Sequence, residues 1–342
     1  MKPFDDLVAR AQKNPKHIVM AEGEDPRVIE GALRAVRNGL SFVTLLGRKE
    51  QIIPHLSEQV LEEGRVQIAD PNASKYSDMF VQELVSLREH KGMTADKARV
   101  QLQQPQHFAN MMVRMGLADG SVAGAQLTTA DVVRSAIQII GVDKRYSMIS
   151  SFFIMMLCEP FHDMKGALVF ADCGLVVTPS EEELTQIGIA AADSASTLLA
   201  LDPRIAMLSF STKGSATHPH VDKVNHAAQR IKALRPDLHV DGDLQLDASL
   251  VPSVSVSKAP GSDVAGHANV LIFPDLEAGN IGYKMAERIG KAKAIGPILQ
   301  GLAKPANDLS RGCDADAVYR MIAVTVVQAQ AQNTDKKEMT HD

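Results

Sequence analysis

Apolar positions along this chain recur at helical spacing and in short strand-like runs, and the two patterns take turns. Phe4, Leu7, Val8 and Ala11 predict an opening amphipathic helix. Residues 17–21 then form a short apolar run with the length of a buried strand. Helical spacing returns over 26–38, with Pro26 at the start and Gly39 just past the end. A second strand follows over 42–46. Strand, helix and strand in that order predict a βαβ unit and a parallel sheet. Residues 66–68 extend that sheet, and helices are expected over 76–90, 94–102 and 108–115. A small-residue strand over 121–125 runs into Thr128-Thr129-Ala130-Asp131, which opens a helix to 140.

From residue 146 the pattern restarts with a long apolar strand over 149–157. A second βαβ unit reads as strand 168–171, helix 180–199 and strand 205–208. A polar loop over 209–220 and a helix over 221–234 follow, then a loop over 254–267 and a strand over 270–273. A helix over 279–289, a strand over 294–299 and a last helix over 314–332 complete the chain, with a charged, frayed tail from 334. The alternation makes the fold class α/β, with a boundary near 145. Periodicity leaves open which half receives the last helix.

A chain of 342 residues exceeds what one core usually serves, so two domains are expected. Aromatics are 4% of residues and Trp is absent, which argues against base stacking on single-stranded nucleic acid. The net charge of −5 is the wrong sign for a nucleic-acid binder. A small polyanionic substrate is still compatible, given locally gathered Arg and Lys. Cys158, Cys173 and Cys313 are too few and too scattered for a disulfide framework or a zinc site. No signal peptide is read at the N-terminus, and the most apolar run, 148–158, is too short to span a bilayer. These readings predict a cytoplasmic protein with no membrane segment.

Candidate chemistry concentrates in Lys304-Pro305-Ala306-Asn307-Asp308-Leu309-Ser310-Arg311-Gly312-Cys313, just before the last helix. A hydroxyl, a guanidinium, a carboxylate and an amide stand close to a helix start, whose unpaired N–H groups and dipole suit an anion. Asp-x-Ser is also ordinary capping chemistry, so spacing leaves both readings open. His218-x-His220 lacks the matching ligands of a metal site.

Several ordered blocks resemble the phosphate acetyltransferases (phosphotransacetylases) of the acetyl/butyryl phosphotransferase family, in their short form. They are Ala21-Glu22-Gly23-Glu24, Leu87-Arg88-Glu89-His90-Lys91-Gly92-Met93-Thr94, Ala118-Asp119-Gly120, and Thr128-Thr129-Ala130-Asp131-Val132-Val133-Arg134. Met207-Leu208-Ser209-Phe210-Ser211-Thr212-Lys213-Gly214-Ser215, Asp241-Gly242-Asp243-Leu244-Gln245 and Gly279-Asn280-Ile281-Gly282-Tyr283-Lys284 follow, then 305–313. The resemblance covers nearly the whole chain. It implies two α/β domains flanking a cleft, like isocitrate and isopropylmalate dehydrogenases. Residues 1–145 with 300–342 would form the first domain, and 146–299 the second, which supplies a dimer contact. The implied reaction is acetyl-CoA + phosphate ⇌ acetyl phosphate + CoA, by direct thiolate attack without an acyl-enzyme. CoA, acetyl-CoA, phosphate and acetyl phosphate are then substrates, and no tightly bound cofactor or metal is implied. Two further readings remain: a phosphate butyryltransferase or other short-acyl relative, and a degenerate acetyl-CoA-binding regulatory domain.

By motif position, Arg311 matches the family's catalytic and substrate-binding arginine and Ser310 its transition-state donor. Arg88 and Arg134 match arginines used on phosphate and CoA. Thr128 and Thr129 are candidate phosphate donors, and Lys284 a candidate cleft residue. Each has a plain alternative: an ion pair for the arginines, with Asp131 helically spaced for Arg134, a cap for Ser310 and the threonines, a surface lysine for Lys284. One position departs from the pattern. Where the family carries the acid that serves the CoA thiol as base, this chain has Ala317. Asp316 is the tentative substitute, although one residue is about 100° of helix rotation. A base elsewhere, and weak activity, stay open.

Overall fold

Residues 2–57 and 62–338 are described here in a computed structural model. The chain divides into two compact units, Leu7–Asp143 with Leu302–Asp342, and Lys144–Gly301 with Met1–Asp6.

In the first unit the apolar runs read from the sequence become strands of one parallel sheet. These are β1 (Lys16–Met20), β2 (Ser41–Leu46), β3 (Val66–Ala69), β4 (Gly120–Ala123) and β11 (Ala306–Asp308), in the order β11-β4-β1-β2-β3. Ile18, Val19 and Met20 are wholly buried, as a strand covered on both faces requires. Helix α2 (Pro26–Arg37) is capped by Asp25, whose carboxylate accepts from Arg27 N–H. It packs against α13 (Ala315–Glu338) so closely that a Cβ on Gly31 would stand 2.6 Å from Val318 Cβ. Helices α4 (Ser77–Arg88), α5 (Ala95–Leu102), α6 (Pro105–Arg114) and α7 (Thr129–Ile139) complete the unit with the short α3 (Lys49–Ile52) after β2, while α1 (Lys2–Lys13), which opens the chain, is divided between the units. The last helix therefore belongs largely with the first half of the sequence. It continues past 332 to Glu338, and 339–342 of the expected tail lie outside the described residues.

Strand β11 was not visible in the hydrophobic pattern, because only three residues pair and two of them are Asn307 and Asp308. Successive side chains on a strand point to opposite faces. Asn307 meets α13, donating to Thr325 Oγ1 at 2.9 Å and Gln328 Oε1 at 2.7 Å. Asp308 meets the start of α7 instead.

The second unit holds a six-stranded mixed sheet in the order β10-β5-β6-β9-β7-β8. Its strands are β5 (Ser150–Leu157), β6 (Gly166–Ala171), β7 (Arg204–Leu208), β8 (His239–Leu244), β9 (Val270–Ile272) and β10 (Lys293–Gln300). Its helices are α8 (Glu181–Leu199), α9 (Pro219–Leu234), α10 (Leu246–Leu250), α11 (Pro252–Lys258) and α12 (Leu276–Arg288). Helix α8 opens with a capping box, Ser180 and Glu183 exchanging side-chain and backbone hydrogen bonds. Phe153, Leu168, Phe170, Leu271 and Phe273 centre its apolar core. Part of the loop expected over 254–267 is helix α11, and β8 was missed because Asp241, Gly242 and Asp243 do not read as strand.

Candidate functional site

In a parallel α/β sheet the loops leaving the carboxyl ends of adjacent strands converge, and ligands bind there. In the first unit the neighbours β1, β4 and β11 lead into residues 21–25, 124–128 and 309–314. Two charged side chains from the loop after β1 and the helix it opens tie these segments together. The Glu22 carboxylate accepts three backbone N–H bonds, from Ala125 (2.7 Å), Gln126 (2.8 Å) and Leu127 (2.9 Å), fixing the segment that leads into α7. The Arg27 guanidinium donates to the carbonyls of Ala125 (3.0 Å), Arg311 (2.9 Å) and Cys313 (3.0 Å). Arg27 is itself held by both oxygens of Asp25 at 3.0 and 2.7 Å. That bonding pulls the Asp25 carboxyl down to about 2, against the opposing effect of its burial. One guanidinium thus fastens all three loops by bonds that a lysine could not reproduce.

The loop after β11 is short and its hydrogen bonds are accounted for. Leu309 N–H donates to Ala123 O at 2.7 Å, and Cys313 N–H to Ser310 O at 2.9 Å. Ser310 is exposed, and its hydroxyl oxygen accepts from Gly312 N–H at 3.3 Å. Because the hydroxyl accepts there, its own proton remains available for an incoming oxygen. Arg311 is exposed, and among the described residues its guanidinium makes no hydrogen bond or ion pair. A loop pinned through its carbonyls therefore presents one free donor and one unneutralised cation side by side.

The other residues singled out in the sequence divide by what already engages them. The Thr128 hydroxyl accepts from Asp131 N–H and donates to Asp131 Oδ2 at 2.7 Å, so it caps α7. Arg134 pairs with Asp131 at 3.0 Å on the same helix and is otherwise exposed. Thr129, half-buried at the first position of α7, hydrogen-bonds Asp308 at 2.6 Å. Arg88, the last residue of α4, is half-buried, and among the described residues its guanidinium has no partner. Lys284 stands in the second unit on α12, its ammonium 5.8 Å from the Tyr283 ring centroid.

Asp316 departs from what a free base requires. Its Oδ1 takes Arg34 at 2.9 Å, and its Oδ2 is ion-paired with Arg320 one turn along α13. Each oxygen already holds one guanidinium, so the carboxylate is fixed in place by two cations. Asp314 accepts from Ala317 N–H at 2.8 Å and caps the helix. The position where the family carries its acid is thus the third residue of α13, occupied here by a methyl group.

Sequence reasoning gave no role to Glu22 or Arg27, and counted Asp308 only as the carboxylate of the candidate stretch. Their signal was available in part: a carboxylate at the end of a buried run, with no partner in sequence, needs one in space. Asp308 is wholly buried, and its Oδ1 lacks a hydrogen-bond partner among the described residues. Burial pushes its carboxyl up to about 7, opposed by the Thr129 bond and helped by the nearby Glu22 charge. Among the described residues no group of three or more His, Cys, Asp or Glu could hold a metal ion. His218 caps α9, its Nδ1 accepting from His220 N–H at 3.1 Å. No described helix is long and apolar enough to cross a membrane.

A family model described as phosphate acetyl/butaryl transferase matches residues 4–326. The phosphate acetyltransferase of Thermoanaerobacterium thermosaccharolyticum is 46% identical over 330 residues, covering 96% of this chain and 100% of that protein. That of Clostridium acetobutylicum is 44% identical over 320 residues, covering 94% and 96%. A solved phosphotransacetylase from Streptococcus pyogenes superposes with a TM-score of 0.90 at 42% identity, covering 96% of this chain and 98% of that one.

Proposed function

Because the chain belongs to the phosphate acetyl/butaryl transferase family, we propose that it catalyses acetyl-CoA + phosphate ⇌ acetyl phosphate + CoA. Relatives named phosphate acetyltransferase match it over nearly their whole length, which supports acetyl rather than another group. The observation that carries the site assignment is the loop after β11, where Ser310 keeps an uncommitted proton beside the unpaired Arg311.

In the thioester-forming direction the CoA sulfur attacks the acetyl carbon. The C–S bond forms, the bond from that carbon to the bridging oxygen breaks, and its electron pair leaves with phosphate. Negative charge grows on the carbonyl oxygen and then on the departing phosphate, so donors fixed in advance lower the barrier. Ser310 donates to the carbonyl oxygen. Arg311 takes the phosphate oxygens with its planar fork. Arg88 and Arg134 bind the phosphates of acetyl phosphate and CoA; Arg134 exchanges Asp131 for substrate, which an exposed pair permits at small cost. Thr128 contributes the helix start it caps, and Thr129 its hydroxyl. The substrates themselves are the only small molecules required. A homodimer in the cytoplasm is the assembly and location we assign, in keeping with three unpaired cysteines.

The base is where this chain departs from the resemblance. With Ala317 in place of an acid and Asp316 doubly paired, thiol ionisation rests on the solvent. A thiol pKa near 8.5 leaves only a few per cent thiolate at about pH 7. Thioester formation from acetyl phosphate and CoA, followed from about pH 6 to about pH 9, is expected to rise with pH toward the thiol pKa. Ala317→Asp is expected to raise the rate near neutrality and flatten that profile, general-base terms being worth about 10² to 10⁴. No thioester at any pH refutes the activity, and faster turnover of butyryl phosphate shifts the assignment to the butyryl reaction.

A further inference from the structure

A threonine hydroxyl has one proton to give, and at this site two threonines differ in where it goes. Thr128 gives its proton to Asp131, a half-exposed carboxylate that is paired with Arg134. Thr129 shares a 2.6 Å hydrogen bond with Asp308, whose surroundings are of another kind. Asp308 is wholly buried on the last residue of β11, and its second oxygen has no hydrogen-bond partner among the described residues. Its space is made by Gly124, which sits at φ +108; a Cβ there would overlap Asp308 Oδ1 and the Leu309 backbone. The charged group facing it is Glu22, an anion fixed by the N–H groups of residues 125–127. From β4 it meets backbone, and from α7 the Thr129 hydroxyl, while Asp131 and Arg134 on that helix pair with each other. Among the described residues no cation pairs with Asp308, and besides Thr129 only the Leu309 N–H favours its charged form. Ionising a carboxyl in such a setting is costly, so it holds a proton near neutrality.

Which atom donates across the 2.6 Å contact then depends on that proton. An ionised Asp308 can only accept, so Thr129 gives it the hydroxyl proton and turns only lone pairs toward the site. A protonated Asp308 donates to Thr129 Oγ1, and the Thr129 proton is released for another acceptor. The half-buried Thr129 stands on the first turn of α7, where Thr128 caps the Asp131 N–H and, among the described residues, the Thr129 and Ala130 N–H groups keep no partner, the setting for a bound anion.

We infer that Asp308 is a positioning residue whose own proton aims the Thr129 hydroxyl outward as a donor to phosphate oxygen, so that phosphate binding is switched by a buried carboxyl that never touches the substrate. This rests on the assignment of Thr129 to the phosphate site.

Sulfate tests it, being a phosphate-like anion that does not titrate between about pH 6 and about pH 9. Its inhibition constant against phosphate is measured on the full chain for wild type, Asp308→Asn and Thr129→Val. Wild-type affinity is expected to fall about tenfold as pH rises through about 7, the worth of one hydrogen bond to a charged group. Asp308→Asn, whose amide donates to Thr129 at every pH, keeps the tighter affinity throughout. Thr129→Val binds weakly and without pH dependence. A Thr129→Val protein that binds sulfate like wild type overturns the Thr129 assignment itself. One that binds weakly yet stays pH-dependent overturns only the switch, since charge on Asp308 then acts without the hydroxyl; a flat wild-type profile does the same. Should Asp308→Asn fail to fold, infrared spectra of the wild type still decide. They are expected to show a protonated-carboxyl band that disappears as pH rises through about 7, and its absence refutes the proton on which the switch depends.

Discussion

Two buried aspartates stand near the carboxyl ends of parallel strands, Asp308 on β11 in the first unit and Asp243 on β8 in the second. Each leaves Oδ1 without a partner among the described residues. What holds the other oxygen differs. Asp243 Oδ2 accepts from Gly214 N–H at 2.6 Å, a donor with one direction only. Its neighbour Asp241 is matched by Lys213 at 2.5 Å and Ser262 at 2.6 Å, so the charges around β8 are settled within the unit. Asp308 faces a hydroxyl, which can reverse, and close by lies a loop whose arginine is left unpaired. The same residue type at the same place in an α/β sheet is scaffolding where its partner is fixed, and chemistry where its partner can change roles.

The strongest way to break that contrast is to remove one cation from each region. Arg311→Ala is expected to lower kcat by about 10² to 10³, the usual worth of a fixed donor to developing charge. Its melting temperature should stay near wild type, because the side chain is exposed and supports nothing. Lys213→Ala should do the reverse: a turnover near wild type, with stability lower by about 1 kcal/mol as Asp241 is left with Ser262 and the more distant Lys232. Parallel kinetics and thermal melts read both. A stability loss in Arg311→Ala larger than in Lys213→Ala dissolves the distinction.

The next test uses pH. Asp308 has a raised pKa, so its contribution to stability is complete below about 4 and is lost as pH rises through about 7. The loss is on the order of 2–4 kcal/mol for a shift of this size in a buried group. Asp308→Asn carries no such penalty and should melt at or above the wild type at about pH 8, where the ionised form is costly. Asp243→Asn should melt lower, because the amide must keep accepting from Gly214 while placing its NH₂ in buried space. Melts across pH of both variants decide, and equal behaviour would show that the partner's nature is irrelevant.

Both aspartates lie on strands that the hydrophobic pattern did not disclose. Strands β1, β2, β5, β6, β7 and β9 were legible because runs such as Ile18-Val19-Met20 and Val169-Phe170-Ala171 are apolar throughout, the mark of a strand covered on both faces. Strands β8 and β11 are covered as well, but they bury Asp241, Asp243, Asn307 and Asp308, whose partners come from distant sequence. Polar residues inside a strand are legible only once those partners are known. Thr325 and Gln328 for Asn307, and Thr129 for Asp308, lie 18, 21 and 179 positions away. Ser310 and Arg311 were found by resemblance to a family motif, since spacing alone is a weak signal that ordinary capping also explains. Arg27 and Glu22, which hold those loops in place, bond to backbone atoms that carry no residue identity, so no motif spacing could announce them.

Arg27 gives a smaller effect with the opposite sign to that of Asp308. The depressed pKa of its partner Asp25 means a stability contribution present above about 4 and lost as pH falls through about 2. Asp25→Asn should cost about 1–2 kcal/mol at neutrality and remove that acid limb. It should also raise KM, because the Arg311 and Cys313 carbonyls lose a rigid anchor. Melts between about pH 2 and about pH 7 show it, and an unchanged acid limb assigns the loop's support elsewhere.

The smallest effect is expected at the residue that looked most like the missing base. Asp316 lies near Ser310 in sequence and opens the same helix, but its two oxygens are occupied by Arg34 and Arg320. Reaching a thiol from there would draw the carboxylate away from the two guanidiniums that hold it. The pairs are partly solvated, Arg34 being 49% and Asp316 38% exposed, so each is worth only about 0.5 kcal/mol. Asp316→Asn should therefore change kcat less than about twofold and stability by less than about 1 kcal/mol. Thioester formation by Asp316→Asn beside Ala317→Asp separates the possibilities. If Asp316→Asn loses activity as deeply as Ser310→Ala, the ion pairs must open when CoA binds, and Asp316 joins Asp308 among carboxyls whose partners change. If it does not, Asp316 belongs with Asp243, an acid fixed by its neighbours, and the thiol finds its base in water.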